Sequence, residues 1–260
     1  MTEPNWISLD GATNVRDVGG LPRTDGRVVK THRLIRADNL QDLSAADVRR
    51  LRDEIGIRAV ADLRDDTEVE ATGPGPLTRE SLIRIEHLSL LPAAGKRTDV
   101  VASEADAPRR LPWNSPDRRT TPVNSYLRYL AERPDSVVAS LRLIAATEGA
   151  TVVHCAAGKD RTGVVVAVAL DEIGVERSAI VADYVRTTER IEAILARLAA
   201  TPVYAADLVG QTADAHAARP QTMEAFLAEV DARFGGAAGW LREQGWREED
   251  HDALYTQLVG

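Results

Sequence analysis

Residues 150–170 hold the sequence feature that most constrains the fold of this chain. An apolar, β-branched stretch (Thr151-Val152-Val153) leads into a short polar segment, and a second apolar run begins at Val164. This order is typical of a buried strand, a short loop and a buried helix. A loop that enters a helix N-terminus gathers unpaired backbone N–H groups at the positive end of the helix dipole. The segment therefore predicts an anion-binding site.

The predicted loop also contains the only cysteine of the chain. Five residues separate Cys155 from Arg161, and Thr162 follows directly. The field that binds an anion also stabilises a thiolate, so Cys155 can attack phosphorus and carry the phosphoryl group. Arg161 would hold two phosphoryl oxygens in a bidentate fork. A hydrogen bond from the Thr162 hydroxyl to the sulfur would ease the departure of the cysteine.

Other loop residues have predicted binding roles. We expect the backbone of Ala156, Ala157 and Gly158 to bind the equatorial oxygens of the phosphoryl group. His154 would fix the loop through backbone hydrogen bonds. Lys159 adds positive charge beside the phosphate in an acidic chain, so we expect it to contact the substrate; the alternative for Lys159 is a solvated side chain.

The loop sequence at 154–163, His-Cys-Ala-Ala-Gly-Lys-Asp-Arg-Thr-Gly, resembles the signature loop of cysteine-dependent phosphatases. In detail it is similar to the atypical bacterial tyrosine and lipid phosphatases of the PtpB/LipA type. Four further segments are similar to that family. They are the stretch at 14–20, in which Val15 replaces the usual aromatic residue, Asp-Leu-Arg at 62–64, which Glu68 follows, Asp183-Tyr184, and the tail from Met223 to Trp240.

This resemblance implies a cysteine-phosphatase-like α/β sandwich that hydrolyses phosphotyrosine. Several family members also accept phosphoserine, phosphothreonine or phosphoinositides. They use no metal, so we expect no cofactor. Helical lids often cover their active sites, which would give a role to two weakly patterned segments of this chain, 92–120 and 201–220.

Two aspartates are candidates for the general acid that protonates the leaving oxygen. Asp160 lies inside the loop, and the resemblance favours it. Asp117 ends the segment 113–117 (Trp-Asn-Ser-Pro-Asp), which superficially resembles the Trp-Pro-Asp loop of many cysteine phosphatases but carries two additional residues. A third interpretation makes Asp160 only a loop acid paired with Lys159.

Four charged residues of the similar segments have two open interpretations. Arg16, Asp17, Asp62 and Arg64 either form a structural set of ion pairs at strand ends or contribute to substrate binding. We retain Arg16, Asp62 and Arg64 as candidate substrate-binding residues.

The remaining pattern predicts a single domain with a mainly parallel central sheet flanked by helices. Such sheets bind ligands at the carboxyl ends of their strands, where Cys155 would lie. A length of 260 residues and a hydrophobic content of 44% suit one large domain. Strands are predicted at 27–36, 57–63 and 82–91, and helices after Ser44, from Thr121-Pro122, after Pro134, over 178–199, over 222–234, and near Trp240 and Leu254.

Composition excludes several other functions. The net charge of −8 argues against nucleic-acid binding. Scattered histidines predict no metal site, and no apolar run is long enough for a transmembrane helix. One cysteine and no visible signal peptide suit a cytoplasmic protein, or one secreted without such a peptide.

We therefore predict a phosphomonoester hydrolase that acts through a phosphocysteine intermediate. Its substrate would be a phosphorylated protein, a phosphoinositide or a small phosphomonoester. The alternatives are a phosphatase of a soluble metabolite and an inactive phosphate-binding module.

Overall fold

A computed structural model describes residues 5–73, 75–91 and 122–260. Within these ranges, six strands form one sheet: β1 (Asn5–Trp6), β2 (Arg16–Asp17), β3 (Leu34–Ala37), β4 (Ile57–Asp62), β5 (Arg84–His87) and β6 (Ala150–His154). Their spatial order is β1-β2-β3-β6-β4-β5. The four strands from β3 to β5 run parallel, whereas β1 and β2 extend the sheet antiparallel to β3.

The α-helices of the described ranges cover both faces of this sheet. Several begin at the signals expected from the sequence, such as the capping box of Ser44 and Asp47 and the prolines at the starts of the third and fourth helices. The helices are α1 (Ala45–Arg49), α2 (Asp66–Thr72), α3 (Pro122–Glu132), α4 (Pro134–Ala146), α5 (Asp160–Glu172), α6 (Arg177–Val185), α7 (Ile191–Ala199), α8 (Pro202–Leu208), α9 (Pro220–Phe234), α10 (Ala237–Glu243) and α11 (Glu248–Leu258).

The core lies on both sides of β6, the central strand, whose residues are all buried. Successive side chains of a strand point to opposite faces. Accordingly, Val153 packs in one apolar cluster with Val164 of α5, and Val152 packs in another with Leu51 and Ile57. The predicted α/β sandwich with a mainly parallel sheet is confirmed. No helix in the described ranges has the length and apolar character needed to cross a bilayer.

Two local predictions need correction. The strand predicted at 27–36 is shorter, because residues before Leu34 make only an isolated bridge between Pro22 and Val28. The helix predicted over 178–199 is interrupted by a 3-10 turn at Arg186–Arg190. The segment 201–220, where a helical lid is expected, does contain a helix, α8, which begins, like α3, at a proline that follows a threonine. The segment 92–120 lies outside the described residues.

Candidate active site

The loop at 155–159 lies at the carboxyl edge of the sheet, between β6 and α5. Ala37, which ends β3, and Asp62, which ends β4, are both in register with His154. Three parallel strands thus end side by side beneath the loop. Cys155 is only 2% exposed and so is Arg161. The loop predicted from sequence therefore stands where open α/β sheets bind their ligands.

The first turn of α5 leaves its backbone donors available to an anion. Lys159 occupies the N-cap position and makes no side-chain cap hydrogen bond, so the N–H groups that a cap would satisfy are left for a ligand. Gly158 has a φ of +65°. A Cβ at that position would lie 2.5 Å from the Ala37 carbonyl oxygen, so only glycine suits this turn.

Arg161 is held by a carboxylate that the sequence analysis did not assign. Its Nη1 and Nη2 donate to the two carboxylate oxygens of Glu68, the Nη2 bond measuring 2.8 Å. Burial opposes charge on both groups, yet the pair lowers the pKa of Glu68 and raises that of Arg161. Both side chains are therefore ionised. Glu68 lies in the first turn of α2, where it forms a capping box with Asp65, and the Tyr204 hydroxyl donates to its Oε1 over 3.1 Å.

The pairing with Glu68 leaves part of the guanidinium available. A guanidinium carries five N–H groups. Two donate to Glu68, and a second Nη1 donor points to the Leu63 carbonyl oxygen at 3.4 Å. Among the described residues no other acceptor takes a hydrogen bond from Arg161, which leaves Nε–H and one Nη2–H on the same edge. That edge can bind two phosphoryl oxygens, as the sequence predicts.

Asp160 is the first residue of α5 and lies in a polar cluster. Its Oδ1 accepts a hydrogen bond from the Tyr126 hydroxyl at 2.5 Å. Its Oδ2 lies 3.6 Å from Lys159 Nζ. The side chain is 19% exposed, which suits a group that exchanges protons with a substrate and water. The alternative acid, Asp117, lies outside the described residues.

Helices α7 and α8 and the segment that follows them cover the loop. Ala156 and Ala157 pack in one apolar cluster with Ile194 of α7 and Tyr204 of α8. Lys159 Nζ donates to the His216 carbonyl oxygen at 2.9 Å, so this lysine joins the loop to the covering segment. In this structure Lys159 is therefore a partly buried, paired residue, unlike the solvated alternative.

Behind the loop, a buried polar network holds the backbone in place. Asn14 Nδ2 donates to the carbonyl oxygens of Ala157 and Gly158, at 2.9 and 3.2 Å. Arg36 Nη2 also donates to the Gly158 oxygen at 2.8 Å. Arg16 and Arg36 both pair with Asp183, at 2.8 and 2.6 Å.

This network has a definite charge state. Burial and the nearby Arg36 charge lower the pKa of Arg16 to about 10. Burial would raise the pKa of Asp183, but the two guanidinium groups lower it to about 2. Near neutral pH, two positive groups thus share one carboxylate.

The four charged residues with open interpretations lie in three places. Arg16 contacts Asp183, Asn14 and Thr187. Asp62 and Arg64 pair with each other through two hydrogen bonds. The Asp17 carboxylate accepts backbone N–H groups of Gly19 and His32. These contacts favour the structural interpretation over substrate binding. However, the four residues do not form one set of ion pairs, because they lie in three separate places.

His154 and Thr162 differ in how closely they follow the prediction. The His154 carbonyl oxygen accepts the Leu63 N–H at 2.9 Å, and the ring lies 3.5 Å from Asp62. Burial lowers the pKa of His154 to about 4, so the ring is neutral and positions the loop without adding charge. The Thr162 hydroxyl is buried and makes no hydrogen bond to the described residues. The predicted bond from Thr162 to the Cys155 sulfur is therefore not formed in this structure.

A family model of tyrosine phosphatases matches residues 7–260. The chain belongs to the tyrosine phosphatase family. It is 29% identical, over 97% of its length, to the triple specificity protein phosphatase PtpB of Mycobacterium tuberculosis, and the match covers 98% of that protein. It is also 29% identical to a putative tyrosine-protein phosphatase of Cupriavidus necator, over 91% of this chain and 83% of the relative. A tyrosine-protein phosphatase of Nostoc commune is 26% identical, over 91% and 78%.

Membership in this family makes the chain a cysteine-dependent phosphatase, as the loop sequence predicts. Its single cysteine, Cys155, lies in the loop that precedes the N-terminus of α5, and Arg161 is the second residue of that helix. Within the described residues, no cluster of three or more His, Cys, Asp or Glu side chains is arranged to bind a metal.

Proposed function

We propose that this phosphatase hydrolyses aryl phosphomonoesters, with phosphotyrosine as the preferred protein substrate, through a phosphocysteine formed on Cys155. The observation that carries the proposal is the meeting of three groups at one helix N-terminus. Cys155 precedes α5, Asp160 begins it, and Arg161 keeps an unused pair of N–H donors. The names of the relatives support protein phosphotyrosine as substrate.

In the first step, the Cys155 thiolate attacks phosphorus and the bond from phosphorus to the ester oxygen breaks. Asp160 gives its proton to that oxygen, so the alcohol leaves neutral. The Nε–H and Nη2–H of Arg161 and the backbone N–H groups of the loop hold the three equatorial oxygens as charge develops on them. The product of this step is a phosphocysteine and an Asp160 carboxylate.

In the second step, water attacks the phosphocysteine. The Asp160 carboxylate takes a proton from that water, and the bond between sulfur and phosphorus breaks. Phosphate leaves and the Cys155 thiolate is restored. The first-turn N–H groups of α5 favour both the thiolate and the bound phosphate, because each carries negative charge.

We also propose that α7 and α8 act as a lid. Cys155 is almost fully buried in this structure, and both helices pack on Ala156 and Ala157. Substrate entry then requires this layer to move outward. The lid role predicted for 92–120 stays a prediction.

Phosphoinositides are a second candidate class of substrate. Lys159 lies beside Asp160 and is bonded to a backbone carbonyl of the covering segment. If that segment moves, the ammonium group becomes available to a second phosphate. A phosphate-release panel of phosphotyrosine peptides, phosphoinositides and soluble metabolites separates the classes, and Lys159→Met should lower activity on phosphoinositides selectively.

Two substitutions test the reaction. Cys155→Ser should abolish turnover of p-nitrophenyl phosphate but retain binding of vanadate. Asp160→Asn should remove the alkaline limb of the profile of kcat against pH and slow phenyl phosphate more than p-nitrophenyl phosphate, since phenol is the poorer leaving group.

Asp117→Asn is the matched control, because it makes the same change at the alternative acid. Loss of the alkaline limb in Asp117→Asn, with the limb retained in Asp160→Asn, would overturn the assignment of the acid. Full turnover in Cys155→Ser would overturn the reaction itself. No turnover of any phosphomonoester by the wild-type chain would favour the phosphate-binding module.

A further inference from the structure

Two tyrosines from different helices form a hydrogen-bonded chain that ends at the carboxyl group of Asp160. Tyr126 of α3 donates from its hydroxyl to Asp160 Oδ1 at 2.5 Å. Its hydroxyl oxygen lies 2.8 Å from the hydroxyl oxygen of Tyr184, on α6. Both tyrosines are buried, and their rings pack edge to face with centroids 6.4 Å apart. Buried phenols with fixed rings hold their hydroxyl groups in one place.

The direction of these two hydrogen bonds follows from the single hydroxyl proton that each tyrosine carries. A phenol has one O–H. Burial, followed by the nearby Asp160 charge, raises the pKa of Tyr126 and the pKa of Tyr184 well above their usual value. Both phenols therefore keep their protons at any pH at which the enzyme is assayed. When Tyr126 donates to Asp160, its oxygen accepts the proton of Tyr184, which gives a chain from Tyr184 through Tyr126 to Asp160.

We propose that Tyr126, supported by Tyr184, is a positioning residue for the general acid Asp160. The hydrogen bond occupies Oδ1, so in this proposal the acidic proton is carried by Oδ2, which lies 3.6 Å from Lys159 Nζ. This inference rests on the proposed role of Asp160 as the acid, and it adds a residue pair to that role.

The same bond contributes to the rate as well as to the orientation. Asp160 changes from a neutral acid to a carboxylate during the first step. A hydrogen bond to a carboxylate is roughly twice as strong as one to a neutral acceptor. The Tyr126 bond therefore strengthens as the proton leaves, and it stabilises the transition state more than the ground state. Tyr184 polarises Tyr126 in the same direction.

Other ionisable groups also act on Asp160. Lys159 of the loop lies 3.6 Å from its Oδ2, and His216 of the covering segment interacts with its charge. Arg161 follows Asp160 directly in α5. Tyr129 of α3 lies on the same side of the site and stacks on Tyr126, with centroids 6.2 Å apart. The test must therefore separate the Tyr126 hydroxyl from these neighbours.

Tyr126→Phe removes one hydroxyl and keeps the ring. We expect kcat for phenyl phosphate to fall about tenfold, and kcat for p-nitrophenyl phosphate to fall less. The alkaline limb should move to higher pH, because the lost donor favoured the carboxylate. Tyr184→Phe should change both quantities in the same direction, by about two- to threefold. Tyr255→Phe is the control, because it removes a phenol hydroxyl that contacts Arg23 rather than the loop, and its profile should match the wild type.

A double variant distinguishes positioning from packing. If Tyr126 acts through Asp160, adding Tyr126→Phe to Asp160→Asn should cause no further loss on phenyl phosphate. Equal losses on both substrates, additive with Asp160→Asn, would overturn the inference and assign Tyr126 to packing. If Asp160→Asn keeps the alkaline limb, the proposed acid has failed; if it loses the limb while Tyr126→Phe matches the wild type, only the tyrosine inference has failed.

Discussion

Two buried arginine clusters flank the phosphate loop, and they differ in charge balance. On one side, Arg161 pairs with Glu68 alone and keeps two donors on one edge. On the other side, Arg16 and Arg36 share Asp183, and Arg36 donates to the loop carbonyl of Gly158. The first cluster is neutral and keeps donors for a ligand. The second carries one excess positive charge and supports the backbone. The role of a buried arginine here depends on what its remaining N–H groups can reach.

The largest expected effect is a loss of activity when Arg161 of the first cluster is replaced. Arg161→Lys keeps the positive charge but removes the planar fork, so kcat/KM for p-nitrophenyl phosphate should fall about 10³-fold. The free energy of unfolding should change little by comparison, because the lysine can still pair with Glu68. Arg142→Lys, at an exposed pair with Asp250, is the control. Activity within tenfold of the wild type would show that charge alone suffices.

A substitution in the second cluster should mainly change the stability of the fold. Asp183→Asn leaves two buried guanidinium groups without a carboxylate, and the free energy of unfolding should fall by about 3 kcal/mol. Urea unfolding at neutral pH measures this change. Asp231→Asn removes the carboxylate of a pair with the partly exposed Arg177 and should cost about 0.5 kcal/mol or less. Similar losses in the two variants would contradict the difference between the clusters.

The buried carboxyl group of Asp38 extends the comparison of Glu68 and Asp183 to the dependence of stability on pH. Asp38 accepts the N–H groups of Thr13 and Asn14 and one bond from Arg197, at 3.1 Å. Burial outweighs these contacts and raises the pKa of Asp38 to about 6. Two buried arginines thus lower the pKa of a carboxyl group, whereas one partly exposed arginine does not offset its burial.

The sign of the resulting pH dependence follows from linkage. Between pH 4 and 6 the folded chain binds the Asp38 proton more tightly than the unfolded chain, so the free energy of unfolding falls as pH rises. Asp38→Asn should remove about 2 kcal/mol of this decline, measured by urea unfolding at pH 4.5 and 7.5. The Asp183 contribution has the opposite sign and is lost as pH falls from about 4 toward 2. An unchanged decline in Asp38→Asn would show that Asp38 is already ionised at pH 5.

The smallest expected effect is a change in KM when Tyr204, which supports Glu68 of the first cluster, is replaced. Tyr204→Phe removes one hydrogen bond to Glu68 but leaves its pair with Arg161 intact. We expect KM for p-nitrophenyl phosphate to rise about two- to threefold with kcat nearly constant. Tyr255→Phe, whose hydroxyl accepts from Arg23 away from the loop, controls for loss of a phenol. A fall in kcat as large as that of Arg161→Lys would place Tyr204 in the chemical step.

The sequence predicts the strand, loop and helix around Cys155 well because their signals are local. Strand, loop and helix follow one another within 150–172, and the spacing of Cys155 and Arg161 requires no distant contact. The residues that contact the loop from other parts of the chain cannot be predicted in this way. Asp183 lies 167 residues from Arg16, and nothing in the local pattern near either residue indicates their pairing. Glu68 was visible only as part of a similar segment, and its pairing with Arg161 was not predicted.

The errors in secondary structure have the same origin. The apolar spacing over 178–199 predicts one helix, but Thr187 and Thr188 bond to Arg16 and to the backbone of Ala218. Distant partners thus decide the break between α6 and α7. Likewise, β2 is only two residues long, too short for any periodicity, and it forms because β3 offers it an edge.

The burial of Cys155 also means that the reactivity of its thiol reports on opening of the structure around it. With one thiol in the chain, any alkylation by a bulky maleimide reports this position and no other. Because Cys155 is buried and α7 and α8 pack on the neighbouring Ala156 and Ala157, the labelling rate would measure how often the proposed lid opens. The equilibrium and kinetics of opening can then be followed in the natural sequence, without an introduced probe.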